Sequence, residues 1–273
     1  MKQDREQALL AALAQAQRLS LSDAMQLLNT SESTVRRMFA KLEQDGLAIR
    51  THGGIQGINH AMTLYSFEHG TRTNMERKNA IGRKACELVE DGDVIFCDSG
   101  TTIQSFCSAL IYAIQERQLH IKVYTNSLAN LELLADHMPV TLVGGEYRAN
   151  RKDFCGYLSE QALAGLYFNK SFVGADGCTR ALQFTTTDFE TASMNQVAMR
   201  NSERSILLAD SSKFSVNTHV IYAPVQALYA IVTDDQVPAS VLSALKGTQA
   251  RILCADTKAS ETSEIHEQKG CSL

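Results

Sequence analysis

The sequence contains no apolar run approaching the roughly 18 residues that cross a bilayer, and Met1-Lys2-Gln3-Asp4-Arg5-Glu6 carries no apolar core of the kind a secretory signal needs. A cytoplasmic protein without a membrane partner is the expectation. It also lacks any Cys-x-x-Cys pair: Cys86, Cys97, Cys107, Cys155, Cys178, Cys254 and Cys271 are dispersed, with no histidine pair at ligand spacing. Neither a zinc site nor a disulfide framework is suggested, so no metal and no other cofactor is expected, and reduced, buried thiols fit best. Excess positive charge is missing too. A net charge of -4 excludes a protein that coats nucleic acid, but not one that reads a short site, because charge on one face is what counts there.

What is present is ordinary in bulk, with 44% hydrophobic and 21% charged residues, and 273 residues suffice for two domains. The stretch that organises the chain is Asn29-Thr30-Ser31-Glu32-Ser33-Thr34-Val35-Arg36-Arg37-Met38-Phe39-Ala40-Lys41-Leu42. Asn29, Thr30 and Ser31 supply turn and cap chemistry, and Val35, Met38 and Leu42 share one predicted helix face. Arg36, Arg37 and Lys41 occupy the other, as a groove-reading helix requires. Before it, Leu9, Leu10, Leu13 and Ala16 stripe a first helix over 5–17. Leu19 and Leu21 form a short extended stretch, and Ser22 caps a second helix carrying Ala24, Met25, Leu27 and Leu28. After it, Asp45-Gly46 ends the third helix, Leu47, Ile49 and Thr51 alternate, and His52-Gly53-Gly54 turns into a return strand at Ile55. Three helices and a hairpin make a winged helix-turn-helix. Ser33, Thr34, Arg36 and Arg37 are candidates for the groove, with Lys41, Arg50 and His52 on phosphates and Ser31 as a further DNA-binding candidate.

These residues resemble a known family. Ser31-Glu32-Ser33-Thr34-Val35-Arg36-Arg37, Lys41-Leu42-Glu43-Gln44-Asp45-Gly46-Leu47 and Ile49-Arg50-Thr51-His52-Gly53-Gly54 are similar to the DNA-binding signature of the DeoR family of bacterial transcription regulators. Met38-Phe39 departs from the acidic residue and Leu usual there. An acidic side chain at that place would orient the arginines by charge-assisted hydrogen bonds.

From 94 onward, strand-like and helical stretches alternate. Strands are predicted at 94–97, 121–124, 140–143, 172–173, 206–208, 228–232 and 252–254, with helices at 102–114 and 128–135. Alternation implies a largely parallel sheet covered on both faces, with ligands beyond its carboxyl ends. Four polar strand ends follow. Asp98-Ser99-Gly100-Thr101-Thr102 reads as an anion cradle at a helix start, and Thr125-Asn126-Ser127, Gly144-Gly145-Glu146-Tyr147-Arg148 and Gly174-Ala175-Asp176-Gly177 share its rim. Arg148 is a cation suited to bidentate phosphate binding. Together they suggest a phosphorylated polyol.

With Ala209-Asp210-Ser211-Ser212-Lys213-Phe214, these blocks resemble the DeoR-family sensor domain, whose fold is like that of ribose-5-phosphate isomerase. The resemblance implies that Ser99, Gly100, Thr101 and Thr102 take the phosphate, while Asp176 and Lys213 address hydroxyls or the carbonyl end. Arg72 and Lys78 fall where the family carries an Arg and a Lys, and are candidates for the ligand or a domain interface. Asn195 stands where the family often has Lys, which implies a less anionic ligand or one turned differently.

The expected organisation is a winged helix-turn-helix domain over 1–57, a connector over 58–75, an α/β sensor domain over 76–255 and a disordered tail over 256–273. The expected function is a repressor of a carbohydrate catabolic operon, not an enzyme, that binds operator DNA as a homodimer or homotetramer and answers to a sugar phosphate. Two alternatives compete: a sugar-phosphate isomerase with Asp176 as base and Lys213 as electrophile, and a thiol sensor built on Cys97 and Cys107.

Overall fold

The computed structural model describes residues 2–16, 18–44, 48–51, 53–57 and 66–258. The chain divides into two compact units, Met1–His69 and Gly70–Leu273. Unit 1 contains α1 (Lys2–Ala16), β1 (Arg18–Ser20), α2 (Leu21–Leu28), α3 (Glu32–Gln44), β2 (Ala48–Thr51) and β3 (Gly54–Gly57). Its strands pair antiparallel in the order β1-β3-β2. Leu9, Leu13, Leu19, Ala24, Leu28, Val35, Phe39, Leu42, Ala48 and Ile55 form one core. This is the expected winged helix-turn-helix.

Several details differ from the sequence reading. The cap of α2 is Ser20, not Ser22: Ser20 Oγ accepts from Asp23 N at 3.1 Å, and Asp23 Oδ2 accepts from Ser20 N at 3.2 Å. This reciprocal pair satisfies two donors that Ser22 could not reach, and it draws Leu21 into the helix. Along α3 the buried positions are Val35, Phe39 and Leu42, with Met38 only half-buried. Leu27 is exposed, as is Ala16. In the wing, Gly53 adopts φ +89°, and a β-carbon at Gly54 would meet Leu19 O at 2.3 Å, so the hairpin closes on β1 only with glycine there. The Asp45-Gly46 cap and His52 lie outside the described residues.

α4 (Phe67–Arg72), within the stretch expected as connector, spans the division, and α5 (Met75–Cys86) follows. Then come β4 (Val94–Cys97), α6 (Thr101–Arg117), β5 (Lys122–Thr125), α7 (Leu128–Leu134), β6 (Val140–Leu142), β7 (Glu146–Arg148), β8 (Asp153–Cys155), α8 (Tyr157–Ala164) and β9 (Phe168–Gly174). The rest is β10 (Gly177–Cys178), β11 (Gln183–Thr186), α9 (Phe189–Arg200), β12 (Ser202–Leu208), β13 (Val220–Pro224), β14 (Ala230–Asp234), α10 (Ala239–Lys246) and β15 (Arg251–Ala255). Of the expected tail, 259–273 lie outside the described residues.

A seven-stranded parallel sheet of order β15-β14-β12-β9-β4-β5-β6 organises this unit. Successive side chains go to opposite faces: Ile95 and Cys97 join the core built with α5 and α6, while Phe96 packs with Phe168, Met194 and Val197 on the other. Both faces are covered, which is why the strands read as nearly continuous apolar runs. A small antiparallel sheet β10-β11-β13 and the hairpin β7-β8 were not legible in the sequence. The chain steps outward from β4 to β5 and β6, then returns to place β9 on the far side of β4. The switch point of the sheet therefore lies between the carboxyl ends of β4 and β9, where open α/β sheets bind ligands.

Candidate functional sites

In unit 1, Arg36 and Arg37 stand exposed on α3, with the Arg36 side chain 62% accessible. Its Nε donates to Glu32 Oε1 at 2.7 Å, one turn back. Ser31 Oγ lies 3.2 Å from Ser33 Oγ and 3.1 Å from Thr34 Oγ1, so the start of α3 is a cluster of hydroxyls. Lys41 Nζ meets Glu6 Oε2 at 2.5 Å, and Arg50 on β2 donates from Nε to Glu43 Oε2 at 2.6 Å. The Arg50 side-chain bond, then its backbone N–H, hold the Glu43 carboxyl below its usual range. A cleft of about 300 Å³ between α3 and the wing is lined by Leu21, Arg36, Phe39, Arg50, Thr51, Gly53 and Gly54. Arg36 and Arg50, predicted for base and phosphate respectively, thus share one cleft. Exposed ion pairs of this kind are worth about 0–1 kcal/mol, so phosphates can displace the carboxylates.

In unit 2 the switch point is occupied by Asp98. Its Oδ1 accepts from Ser99 N at 2.6 Å, and its Oδ2 accepts from Gly174 N at 3.1 Å and from Asn195 Nδ2 at 3.4 Å, tying β4 to β9 and α9. Burial pushes the Asp98 carboxyl up. Gly100 opens α6 without a side-chain cap, and the first amide bonded back is Gln104 N, to Gly100 O at 2.9 Å. The N–H groups of Thr101, Thr102 and Ile103 therefore have no partner within the helix. Beside them, Lys78 is 4% exposed and donates from Nζ to Thr101 Oγ1 at 2.9 Å and to Gly70 O at 2.6 Å. Burial lowers its ammonium to about 8, Asp210 works against that shift, and Lys213 adds to it. Lys213 is half-buried on the turn after β12 and has no carboxylate partner among the described residues.

Other predicted rim residues serve the rim itself. Thr125 Oγ1 donates to Cys97 O at 2.7 Å, Asn126 Nδ2 to Phe154 O at 3.0 Å, and Ser127 Oγ caps α7 by accepting from Asn130 N at 3.2 Å. At Gly145 a β-carbon would fall 1.9 Å from Ser159 Oγ, so that glycine answers to helix packing. Arg148, expected as a phosphate fork, is already committed: Nε and Nη2 reach Asp153 at 2.9 and 2.7 Å, and Nη1 reaches Asp188 at 2.7 Å. Asp176 Oδ2 accepts from Arg151, from Thr186 Oγ1 at 2.9 Å and from Thr187 N at 3.1 Å. Burial works to raise the Asp188 carboxyl, but Arg151, the Thr191 N–H and Arg148 hold it below its usual range.

Sequence reasoning missed Arg151, Asp153, Asp188 and Asn130. Nothing in their spacing marks them, since each meets its partner only through the fold. Asn130 Nδ2 donates to Asp98 O at 2.9 Å. Among the described residues, six buried side-chain polar atoms lack a partner, and Asn126 Oδ1, Asn130 Oδ1, Asn195 Oδ1 and Asp210 Oδ2 are four of them. These four lie near the carboxyl ends of the strands, where a buried polar atom without a partner calls for an explanation. Cys97 and Cys107 are both fully buried, and burial drives the Cys97 thiol far above its usual range, so the thiol-sensor alternative has no reactive group there. No cluster of metal-ligating side chains and no helix able to cross a membrane occurs among the described residues.

Comparison with known proteins agrees with both units. Residues 5–61 match the DeoR-like helix-turn-helix domain and residues 73–235 match the DeoR C terminal sensor domain. The lactose phosphotransferase system repressor of Staphylococcus epidermidis is 32% identical over 214 residues, covering 76% of this chain and 82% of that protein. The HTH-type transcriptional regulator IolR of Bacillus subtilis is 30% identical over 217 residues, covering 79% and 84%. Among solved structures, ribose 5-phosphate isomerase A of Methanocaldococcus jannaschii shows a partial likeness: TM-score 0.40, 21% identity, and coverage of 52% of this chain and 55% of that one.

Proposed function

This chain belongs to the DeoR family of DNA-binding transcription regulators, and from that premise we propose that it represses a carbohydrate catabolic operon and is released by a phosphorylated sugar held on the rim of unit 2. The observation that carries this reading is the opening of α6, where three amides without helical partners lie beside the Lys78 ammonium on Thr101 Oγ1, with Lys213 within electrostatic reach of that lysine. Amides at a helix start plus two cations form a phosphate receptor. Asp98, Ser99, Gly100, Thr101 and Thr102 build its floor. The unpartnered oxygens of Asn126, Asn130 and Asn195 are suited to accept from sugar hydroxyls once the rim opens to a ligand. Asn195 supplies hydrogen bonding without charge, which favours a ligand with one phosphate and an otherwise neutral body.

On the DNA side, the start of α3 enters the major groove, with Ser31, Ser33, Thr34, Arg36 and Arg37 at base edges and Lys41, Arg50 and His52 on phosphates. A symmetric dimer or tetramer sets two such helices on half-sites separated by whole helical turns. Ligand and operator favour different arrangements of the chain, and their coupling is bounded by the ligand's difference in affinity between the two.

The relatives are named as regulators and repressors, and a sensor must release its ligand unchanged, so we assign no turnover. The deciding experiment is Thr101→Glu, which puts a carboxylate where the phosphate would sit. Operator binding, followed by fluorescence anisotropy, is expected to persist while release by hexose and pentose monophosphates disappears. Unchanged release in the variant overturns the phosphate assignment. Solvent proton incorporation into ribose 5-phosphate at micromolar protein would revive the isomerase reading.

A further inference from the structure

The chain passes from unit 1 to unit 2 between His69 and Gly70, inside α4, and the elbow that follows is tied to both edges of the proposed anion site. At one edge, Lys78 Nζ bridges Gly70 O and Thr101 Oγ1 at 2.6 and 2.9 Å. Gly70 sits so close to α6 that a β-carbon there would lie 3.1 Å from Thr101 Cγ2. At the other edge, Asn74 Nδ2 donates to Asp210 Oδ1 at 3.1 Å and Ser212 Oγ at 3.3 Å, and Arg77 Nη1 to Ser211 Oγ at 3.1 Å. These acceptors belong to the turn that carries Lys213. Asn74 itself holds φ 54°, a left-handed conformation uncommon outside glycine, in the short bend between α4 and α5.

We propose that this elbow, residues 70–78, relays occupancy of the rim to the DNA-binding unit, with Lys78 and Asn74 as its positioning residues. The inference rests on the reading of the α6 opening as an anion site. An anion on the amides of Thr101, Thr102 and Ile103 lies beside Thr101 Oγ1, and so brings a full negative charge next to an ammonium now shared with a neutral carbonyl. A charge-assisted bond outcompetes a bond to a carbonyl, so Nζ moves toward α6 and its hold on Gly70 O lengthens. Gly70 O also accepts from Thr73 N at 3.2 Å, so the last turn of α4 is held through this same oxygen. Lys213, drawn to the same anion, shifts the turn at 210–213 and with it the anchor of Asn74. Both ties then change together, as a two-state element requires.

The test uses the full chain with inorganic phosphate as the probe. Calorimetry measures binding, and hydrogen exchange read by mass spectrometry follows the segment 66–78. Exchange there is expected to rise about threefold on phosphate addition, while the β14–β15 edge stays unchanged. Asn74→Gly keeps the left-handed backbone and removes the tie to 210–212. It is expected to bind phosphate within about twofold of wild type and to lose the exchange response. Phosphate binding with no change in 66–78, or a full response in Asn74→Gly, overturns the relay. Absence of phosphate binding removes the anion site on which it rests, a failure that calorimetry reports separately.

Discussion

Arginine serves opposite purposes in the two units, and exposure decides which. Arg36 and Arg50 stand in water with one carboxylate each, at side-chain exposures of 62% and 51%. Arg148 and Arg151 are sunk to 16% and 6% and share the carboxylates of Asp153, Asp176 and Asp188. A solvated pair is nearly neutral in free energy, so its arginine can exchange a carboxylate for a DNA phosphate with little loss. A buried arginine cannot leave, because its partner would remain as an uncompensated charge. The rim therefore uses arginine as a strut, and under the proposed reading anion capture falls to backbone amides and to lysines, one of them with a lowered affinity for its proton.

The largest expected effect tests the strut. Arg148→Ala leaves the fully buried Asp153 carboxylate with Ser99 Oγ as a donor but without the Arg148 charge, and unfolding by urea should show a loss of about 3–5 kcal/mol. A loss under about 1 kcal/mol would return Arg148 to the ligand and erase the contrast. Next is Arg36→Ala, expected to lower specific operator affinity by about 1–3 kcal/mol with the fold intact. Equal weakening of specific and non-specific binding would reduce Arg36 to a phosphate contact.

The third prediction concerns pH. Lys78 is charged below about 8 and neutral above it, with Asp210 and Lys213 facing it. A sugar phosphate is already dianionic at pH 7, since its second pKa is about 6. Ligand affinity should accordingly be flat from pH 7 to about 8 and fall about tenfold per pH unit above it, until Lys78 loses its proton in the complex as well. Isothermal titration from pH 7 to 9.5 checks this, and a flat profile would place the ligand away from Lys78. The smallest effect is Glu32→Gln, which removes an exposed partner of Arg36 and should change stability by about 0.5 kcal/mol or less in a urea melt.

Much of the architecture was legible because it rests on local rules. The strand at 94–97 was placed correctly, since a parallel strand buried on both faces reads as an unbroken apolar run. Helix α3 was legible from its turn residues and its two-faced pattern, although Phe39 rather than Met38 took the core position. The cap of α2 was misplaced by two residues, because Ser20 and Ser22 both have capping chemistry and only the reciprocal bond to Asp23 distinguishes them. The small sheet β10-β11-β13 escaped notice because its strands are short and its third member lies more than thirty residues further along the chain.

For the candidate sites, sequence alone placed hydroxyls, glycines and cations at strand ends and on one helix face, because composition and period are properties of neighbours in the chain. It could not tell which arginines are available to bind and which are already taken. That distinction arises between residues far apart in sequence, as where Arg148 meets Asp188 or Lys78 meets Thr101. Only folding sets their separation and removes the water between them, and on those two quantities the strength of a charge pair depends.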